Sequence, residues 1–328
     1  MIRNALLLVE VRDGKLKRIS RQILNYFSQL EKLKVNVLIY RDHIDQEMVD
    51  EISGYNVDRI YAAEHEYLKE YNPEILTDCF KKIIDEIKPD CIFACNTALT
   101  RDLFPRLAQI YKKEMISDVT DVEHKRYGFR ISRPIYGGKI FETIQVKDYP
   151  MFITTRANTF EEGLPREKKD VEIIHLDMTE YNNKNLTYIV KDVVERTETK
   201  VPITEAEVVI IGGGGLKKKE NFQRLFELAD LLDAQVGGTR QVTNAKWLPW
   251  PKMVGQSGKR IRPKLYLSFG VSGAMQHTAG MLVSGYVVAV DKYKDARIFD
   301  YADFAIVAQA MEILEPLIKR LKEYKKAE

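Results

Sequence analysis

The sequence predicts an α/β protein built from two domains, and three observations carry that expectation. The chain is 328 residues long, about twice the usual size of one domain. Its first half alternates short apolar runs with segments whose apolar residues recur three and four apart, an order that builds a parallel sheet covered on both faces. Its last third repeats that order, with strands that run into glycine-rich turns and then helices, as in VVIIGGGG at 208–215 and LSFGVSGAMQH at 267–277. The expected architecture is an N-terminal α/β domain over 1–190, a linker over 191–206 and a C-terminal α/β domain over 207–328. The first sheet is expected to be mostly parallel with added antiparallel strands, the second parallel.

Taken in order, residues 5–11 read as a strand. Residues 19–33 read as a helix, with Ile19, Ile23, Leu24, Phe27, Leu30 and Leu33 on one face. A strand at 35–40, a helix at 46–52 and a short strand at 59–62 follow. Pro73 suits the first turn of a helix reaching Lys88, and Pro89 stops it by crowding the preceding residue out of helical conformation. Residues 90–95 read as a buried strand and 101–111 as a helix. Beyond Met115 the texture changes. Segments 127–131, 139–146 and 151–155 alternate apolar and polar residues between glycines and prolines, and read as antiparallel strands at the sheet edge. In the second half, strands are expected at 207–211, 265–269, 286–290 and 304–307. Helices are expected at 220–232, from Ala274, and at 308–324, the last with a basic end that suits the helix dipole.

Composition excludes several classes. A net charge of +3 is too small to argue for nucleic acid, and no basic stripe is interleaved with aromatics. No apolar run approaches the roughly 18 residues of a membrane span, so no membrane insertion is expected. The opening MIRNALLLVEVRDGK reads as a first strand, not a signal peptide, because Glu10 and Asp13 follow the apolar run. The three cysteines, Cys79, Cys91 and Cys95, give no disulfide framework and suit a reducing, cytoplasmic compartment. His43, His65, His124, His175 and His277 are scattered without metal-ligand spacing, so no metal is expected.

The stretch 254–277, VGQSGKRIRPKLYLSFGVSGAMQH, carries most of the functional signal. A strand ending in glycines and opening a helix leaves N–H groups free where an anion can sit. Gln256, Ser257, Ser272, Gln276 and His277 add polar side chains at that edge. Gly212 to Gly215 fit neither the dinucleotide fingerprint, which would need glycine at Lys217, nor the P-loop pattern. A tight turn without a ligand and a close backbone contact to one both remain open there. Taken singly, Arg240 reads as a surface residue in a turn, Ser257 as a turn serine and His277 as a satisfied histidine. No nucleophile elbow and no pair of catalytic carboxylates is evident. The pattern is one for holding a ligand.

Taken in order, GGGGLK, TR, VGQSG, GVSGAMQH, AVDKYKDARIF and ADF closely resemble the alpha subunit of electron transfer flavoproteins over most of 207–320. TALTRDLFPRLA at 97–108 and RPIYGGKIFETI at 133–144 extend the resemblance more weakly into the first domain. The resemblance implies a C-terminal domain that binds FAD, and a first domain that looks like a nucleotide-binding fold without a phosphate loop and docks a beta subunit as an obligate heterodimer. It implies an electron carrier without a substrate of its own, working between flavin dehydrogenases and a quinone-reducing or other acceptor. Carried over by motif, Thr239 and Arg240 stand beside the flavin. Val254, Gly255, Gln256 and Ser257 form the segment whose hydroxyl faces flavin N5. Ser272, Gly273, Ala274, Met275, Gln276 and His277 wrap the ribityl and pyrophosphate region, with His277 brought as a donor towards the flavin O2 edge. Asp291 stands at a position where the family usually has Asn. Gly214 replaces a family arginine, and Gln309-Ala310 an Asp-Leu pair, so contacts at Gly214, Asp291 and Gln309 are open. An electron-bifurcating member of the family and a nucleotide-dependent oxidoreductase with its own small substrate are the alternative readings.

Overall fold

The computed structural model of the chain describes residues 3–125, 128–145, 148–166, 170–182, 186–187, 189–191, 193 and 201–327. They fall into two compact units, one of residues 1–134 and 141–197, the other of 135–140 and 198–328. Residues 194–200 of the expected linker lie outside the described residues, as do Tyr127 and Val146 at the ends of two expected strands.

The first unit begins with β1 (Asn4–Leu8) and a short antiparallel ribbon, β2 (Val11–Arg12) and β3 (Lys15–Leu16), leading into α1 (Arg18–Ser28). Then come β4 (Lys34–Arg41), α2 (Gln46–Ser53), β5 (Arg59–Glu64), α3 (Pro73–Ile87), β6 (Cys91–Cys95) and α4 (Ala98–Tyr111). β7 (Met115–Val119), β8 (Asp121–Lys125), β9 (Gly128–Ile135), β10 (Ile140–Gln145), β11 (Met151–Thr155) and β12 (Glu172–His175) complete the series. The main sheet has seven strands in the order β12-β5-β4-β1-β6-β11-β7, with every pair parallel. Side chains of β1 alternate between two cores. Ala5 and Leu7 pack with Ile23, Phe27 and Ile52 from α1 and α2, while Leu6 and Leu8 pack with Phe80, Ile84 and Phe104 from α3 and α4. Local chemistry fixes the helix starts. Asn72 Oδ1 accepts from the N–H groups of Glu74 and Ile75, and Thr97 with Thr100 forms a reciprocal cap at α4.

Residues 151–155 correct the sequence reading. They form a strand inside the parallel sheet, between β6 and β7, not an antiparallel strand at its edge. All five residues are buried, and a strand covered on both faces need not alternate in polarity. The other two expected strands, β9 and β10, do leave the main sheet. With β8 they make a separate three-stranded sheet, in which β8 and β9 are antiparallel.

The second unit contains β13 (Val208–Gly212), α5 (Phe222–Leu232), β14 (Gln235–Gly238), α6 (Arg240–Asn244), β15 (Leu265–Phe269), α7 (Met275–Thr278), β16 (Tyr286–Asp291), β17 (Phe304–Val307) and α8 (Ala310–Ala327). Its sheet is parallel throughout, in the order β14-β13-β15-β16-β17. Phe222, Leu225 and Leu228 of α5 and Leu314 and Ile318 of α8 cover one face. Val254, Ile261, Met281 and Ile298, from the connecting segments, cover the other. From β13 the chain moves to one side for β14, then crosses to the other side for β15. A crevice forms at such a reversal, outside the carboxyl ends of the strands.

Glycines permit the chain to close tightly there. A Cβ on Gly213 would lie 2.1 Å from the Gly270 carbonyl oxygen, and one on Gly270 would lie 2.6 Å from Gly215 Cα. Gly270 also has φ +65°, which an L side chain resists. Gly270→Ala is therefore expected to destabilise the second unit by about 3 kcal/mol. Both tryptophans, Trp247 and Trp250, lie in this unit, so urea unfolding followed by tryptophan fluorescence reads it. An unchanged midpoint would contradict the packing described.

Candidate functional site

A cavity of about 400 Å³ opens at the carboxyl ends of the second sheet. Each strand hands it the residues that follow. Gly214 and Gly215 come after β13, and Thr239, Arg240 and Gln241 after β14. Gly270 to Ala274 come after β15, Asp291 to Tyr293 from the end of β16, and Gln309 and Ala310 after β17. Met253 to Ser257, from the connection between α6 and β15, and Gln276 and His277 of α7 complete it.

Of the residues singled out from sequence, Thr239, Arg240, Val254, Gly255, Gln256, Ser257, Ser272, Gly273, Ala274, Gln276, His277 and Asp291 all line this cavity. Met275 is not among its lining residues and is 50% exposed. Gly214 and Gln309, where the chain departs from the family pattern, line it nonetheless. Sequence reasoning missed Gln241, Met253, Lys292 and Tyr293 as lining residues. Gln241, Met253 and Lys292 each adjoin a residue that was singled out and Tyr293 lies two beyond Asp291, and that nearness is the available signal.

The lining is rich in groups that await a partner. The Thr239 hydroxyl is buried and makes no hydrogen bond among the described residues. Arg240 is exposed and, among the described residues, its guanidinium forms neither an ion pair nor a hydrogen bond. Backbone N–H groups of Ser272, Gly273 and Ala274 find no acceptor among the described residues. Lys292 adds a second cation, its Nζ 4.3 Å from the centre of the Tyr293 ring. Asp291 is 5% exposed, and its Oδ1 accepts from the Tyr293 N–H at 2.9 Å. Lys217 Nζ donates to Gln309 Oε1 at 2.7 Å, tying the turn after β13 to the end of β17. Such an edge, with free N–H donors and two cations, suits an extended anionic ligand.

His277 lines the cavity, and its ring already has partners within the protein. The ring is buried, with Nδ1 3.0 Å from the Val254 carbonyl oxygen and Nε2 2.7 Å from the Tyr266 hydroxyl. A carbonyl oxygen only accepts, so Nδ1 carries the proton and Nε2 accepts from Tyr266. Both nitrogens are engaged within the protein. Burial lowers the His277 pKa to about 4, so the ring is neutral at pH 7. Burial pushes the Tyr266 phenol up, which keeps it a donor.

The depressed pKa has a consequence for stability. The unfolded chain binds a proton at His277 near pH 6.5, whereas the folded chain resists it until about pH 4. The contribution is complete above pH 6.5 and is lost as pH falls towards 4. Between pH 7 and 5.5 the loss is about 1 kcal/mol. Urea unfolding of wild type and His277→Asn, read by tryptophan fluorescence at both pH values, is expected to show the wild type losing that much more. Equal losses would contradict a neutral buried ring.

Comparison with known proteins shows the family. Residues 202–282 match the model of the electron transfer flavoprotein FAD-binding domain, and residues 5–181 that of the electron transfer flavoprotein domain. The chain is 32% identical over 327 residues to the electron transfer flavoprotein subunit alpha of Bacillus subtilis (strain 168), covering 98% of each. It is 31% identical to protein FixB of Clostridium saccharobutylicum, covering 97% of this chain and 96% of that one. It is 37% identical to the mitochondrial electron transfer flavoprotein subunit alpha of Oryza sativa subsp. indica, over 71% of this chain and 65% of that one. With a family model spanning more than half of its length and relatives above 30% identity end to end, the chain belongs to the electron transfer flavoprotein alpha-subunit family.

Proposed function

We propose that this chain is the alpha subunit of a heterodimeric electron transfer flavoprotein, holding FAD in the cavity of its second unit and passing electrons between flavin dehydrogenases and a downstream acceptor. The observation that carries the proposal is the convergence of five parallel strand ends on one cavity whose N–H donors, hydroxyl and guanidinium lack partners among the described residues. These groups fit FAD. The glycine turns let backbone approach a pyrophosphate, and Lys292 offsets its charge. When bound, the flavin takes up and returns electrons, and the protein sets the potential at which it does so.

Each residue then has a role. The N–H groups of Ser272 to Ala274 would hold the phosphates. Thr239 would give its orphaned hydroxyl to the cofactor, and Ser257 would face the reactive edge of the ring. Arg240 would lie beside the ring, where a fixed guanidinium favours the negative charge that reduction adds. His277 argues against a substrate-converting oxidoreductase. It is the one acid/base candidate that the sequence offered, and both its nitrogens are engaged.

Among the described residues no helix is long and apolar enough to cross a membrane. The beta subunit is the natural partner for a chain of this family, and the number of flavins per heterodimer separates a simple carrier from a bifurcating one. Potentiometry tests the central role. In the heterodimer, Arg240→Ala is expected to move the flavin midpoint potential negative, by on the order of 50–100 mV, with FAD retained. An unchanged potential would remove Arg240 from that role.

A further inference from the structure

Beyond the residues that line the cavity, the structure points to one that sets their position from behind. We infer that Tyr266 is a positioning residue for the cofactor site, acting through His277 on the Val254–Ser257 segment; the inference rests on the FAD reading above. Tyr266 lies on β15, hydrogen-bonded into the sheet between β13 and β16, and is 0% exposed. Its hydroxyl donates to His277 Nε2 at 2.7 Å, and His277 Nδ1 donates to the Val254 carbonyl at 3.0 Å. The N–H of Val254 donates in turn to the Gly238 carbonyl at 3.0 Å, at the end of β14. Thr239 and Arg240 follow directly. One chain of hydrogen bonds therefore links the middle of the sheet to both cavity segments that carry the hydroxyl and guanidinium donors.

The segment beyond Val254 has little freedom to settle by itself. Gly255 has φ +147°, and a Cβ there would lie 2.7 Å from the Gln276 carbonyl oxygen. A Cβ on Gly280 would lie 2.5 Å from the Gly255 nitrogen. The N–H of Gln256 donates to that same Gln276 carbonyl at 2.6 Å. The segment is thus pressed against α7 by backbone contact. What fixes α7 itself against the sheet by a directional bond is the His277 ring. Removing the Tyr266 hydroxyl leaves Nε2 buried without a donor, and the ring then has reason to turn or to change tautomer. Either change releases the Val254 carbonyl and lets Gln256 and Ser257 shift by tenths of an ångström, a scale that matters where donors must meet one atom of a cofactor.

The test uses the heterodimer with FAD, in wild type, Tyr266→Phe, His277→Leu and Leu267→Ala. Leu267 is the next residue on β15 and packs on the opposite face, so its truncation destabilises the unit without touching the chain of bonds. Tyr266→Phe and His277→Leu are each expected to release FAD roughly tenfold faster, to shift the midpoint potential and to change the visible circular dichroism of the bound flavin. Leu267→Ala is expected to melt earlier while keeping the wild-type potential and dichroism. The inference is overturned if Tyr266→Phe lowers stability alone and leaves potential, dichroism and FAD release as in wild type. Nitrogen NMR of the His277 ring reads the bond chain without flavin. A protonated Nδ1 and bare Nε2 at pH 7 support it, and the opposite tautomer overturns it. A colourless wild-type heterodimer with the supporting NMR pattern would overturn the FAD reading and leave the Tyr266–His277–Val254 linkage standing.

Discussion

Backbone meets backbone where β13 and β15 end, and the rest of the second unit is arranged around that contact. Gly213 and Gly215 lie against Gly270 so closely that a single methyl group on any of them would collide with main-chain atoms. The Gly213 N–H donates to the Phe269 carbonyl and the Gly215 N–H to the Gly270 carbonyl, both at 3.0 Å, so the contact is also hydrogen-bonded. Two turns that would otherwise be separated by side chains are held together at the reversal of strand order. The cavity therefore begins with main chain on both sides, and an anion can reach N–H groups that side chains would have covered.

Charge in the site is divided between an inner and an outer layer. The imidazole belongs to the inner layer, where it is neutral and bonded at both nitrogens. The cations, Arg240 and Lys292, belong to the outer layer at strand ends and keep the hydration that full burial would have removed. Asp291 is the exception, a buried carboxylate at the end of β16 that accepts from a backbone N–H. Asp291 apart, this arrangement lets the protein offer cations to a charged ligand without burying them before the ligand arrives.

Much of this was legible in the sequence, and the failures have physical causes. Helices α1, α3 and α5 and strands β4, β13 and β15 announced themselves through periodicity and through Pro73 and Pro89 at the ends of α3. Strand β14 escaped notice because two of its four residues are glycine, which carries no strand signal. The edge strand β12 was hidden within a charged stretch, and β11 was given the wrong direction because its threonines mimic the alternation of a half-exposed strand. The residues that line the cavity could be picked out together because they lie in short contiguous motifs. What could not be read was the bond from Tyr266 to His277, eleven positions apart on different elements, or that from Lys217 to Gln309 across the sheet. The His277 ring is bonded to a neighbour that only the fold brings near.

Diffraction from crystals of the chain bound to its beta subunit tests the central claim most directly. An isoalloxazine ring is expected in the cavity of the second unit, with the Arg240 guanidinium within hydrogen-bonding reach of it and phosphate oxygens on the N–H groups after β15. A ring seated elsewhere, or an Arg240 side chain turned away from it into solvent, would rule out this site for the flavin.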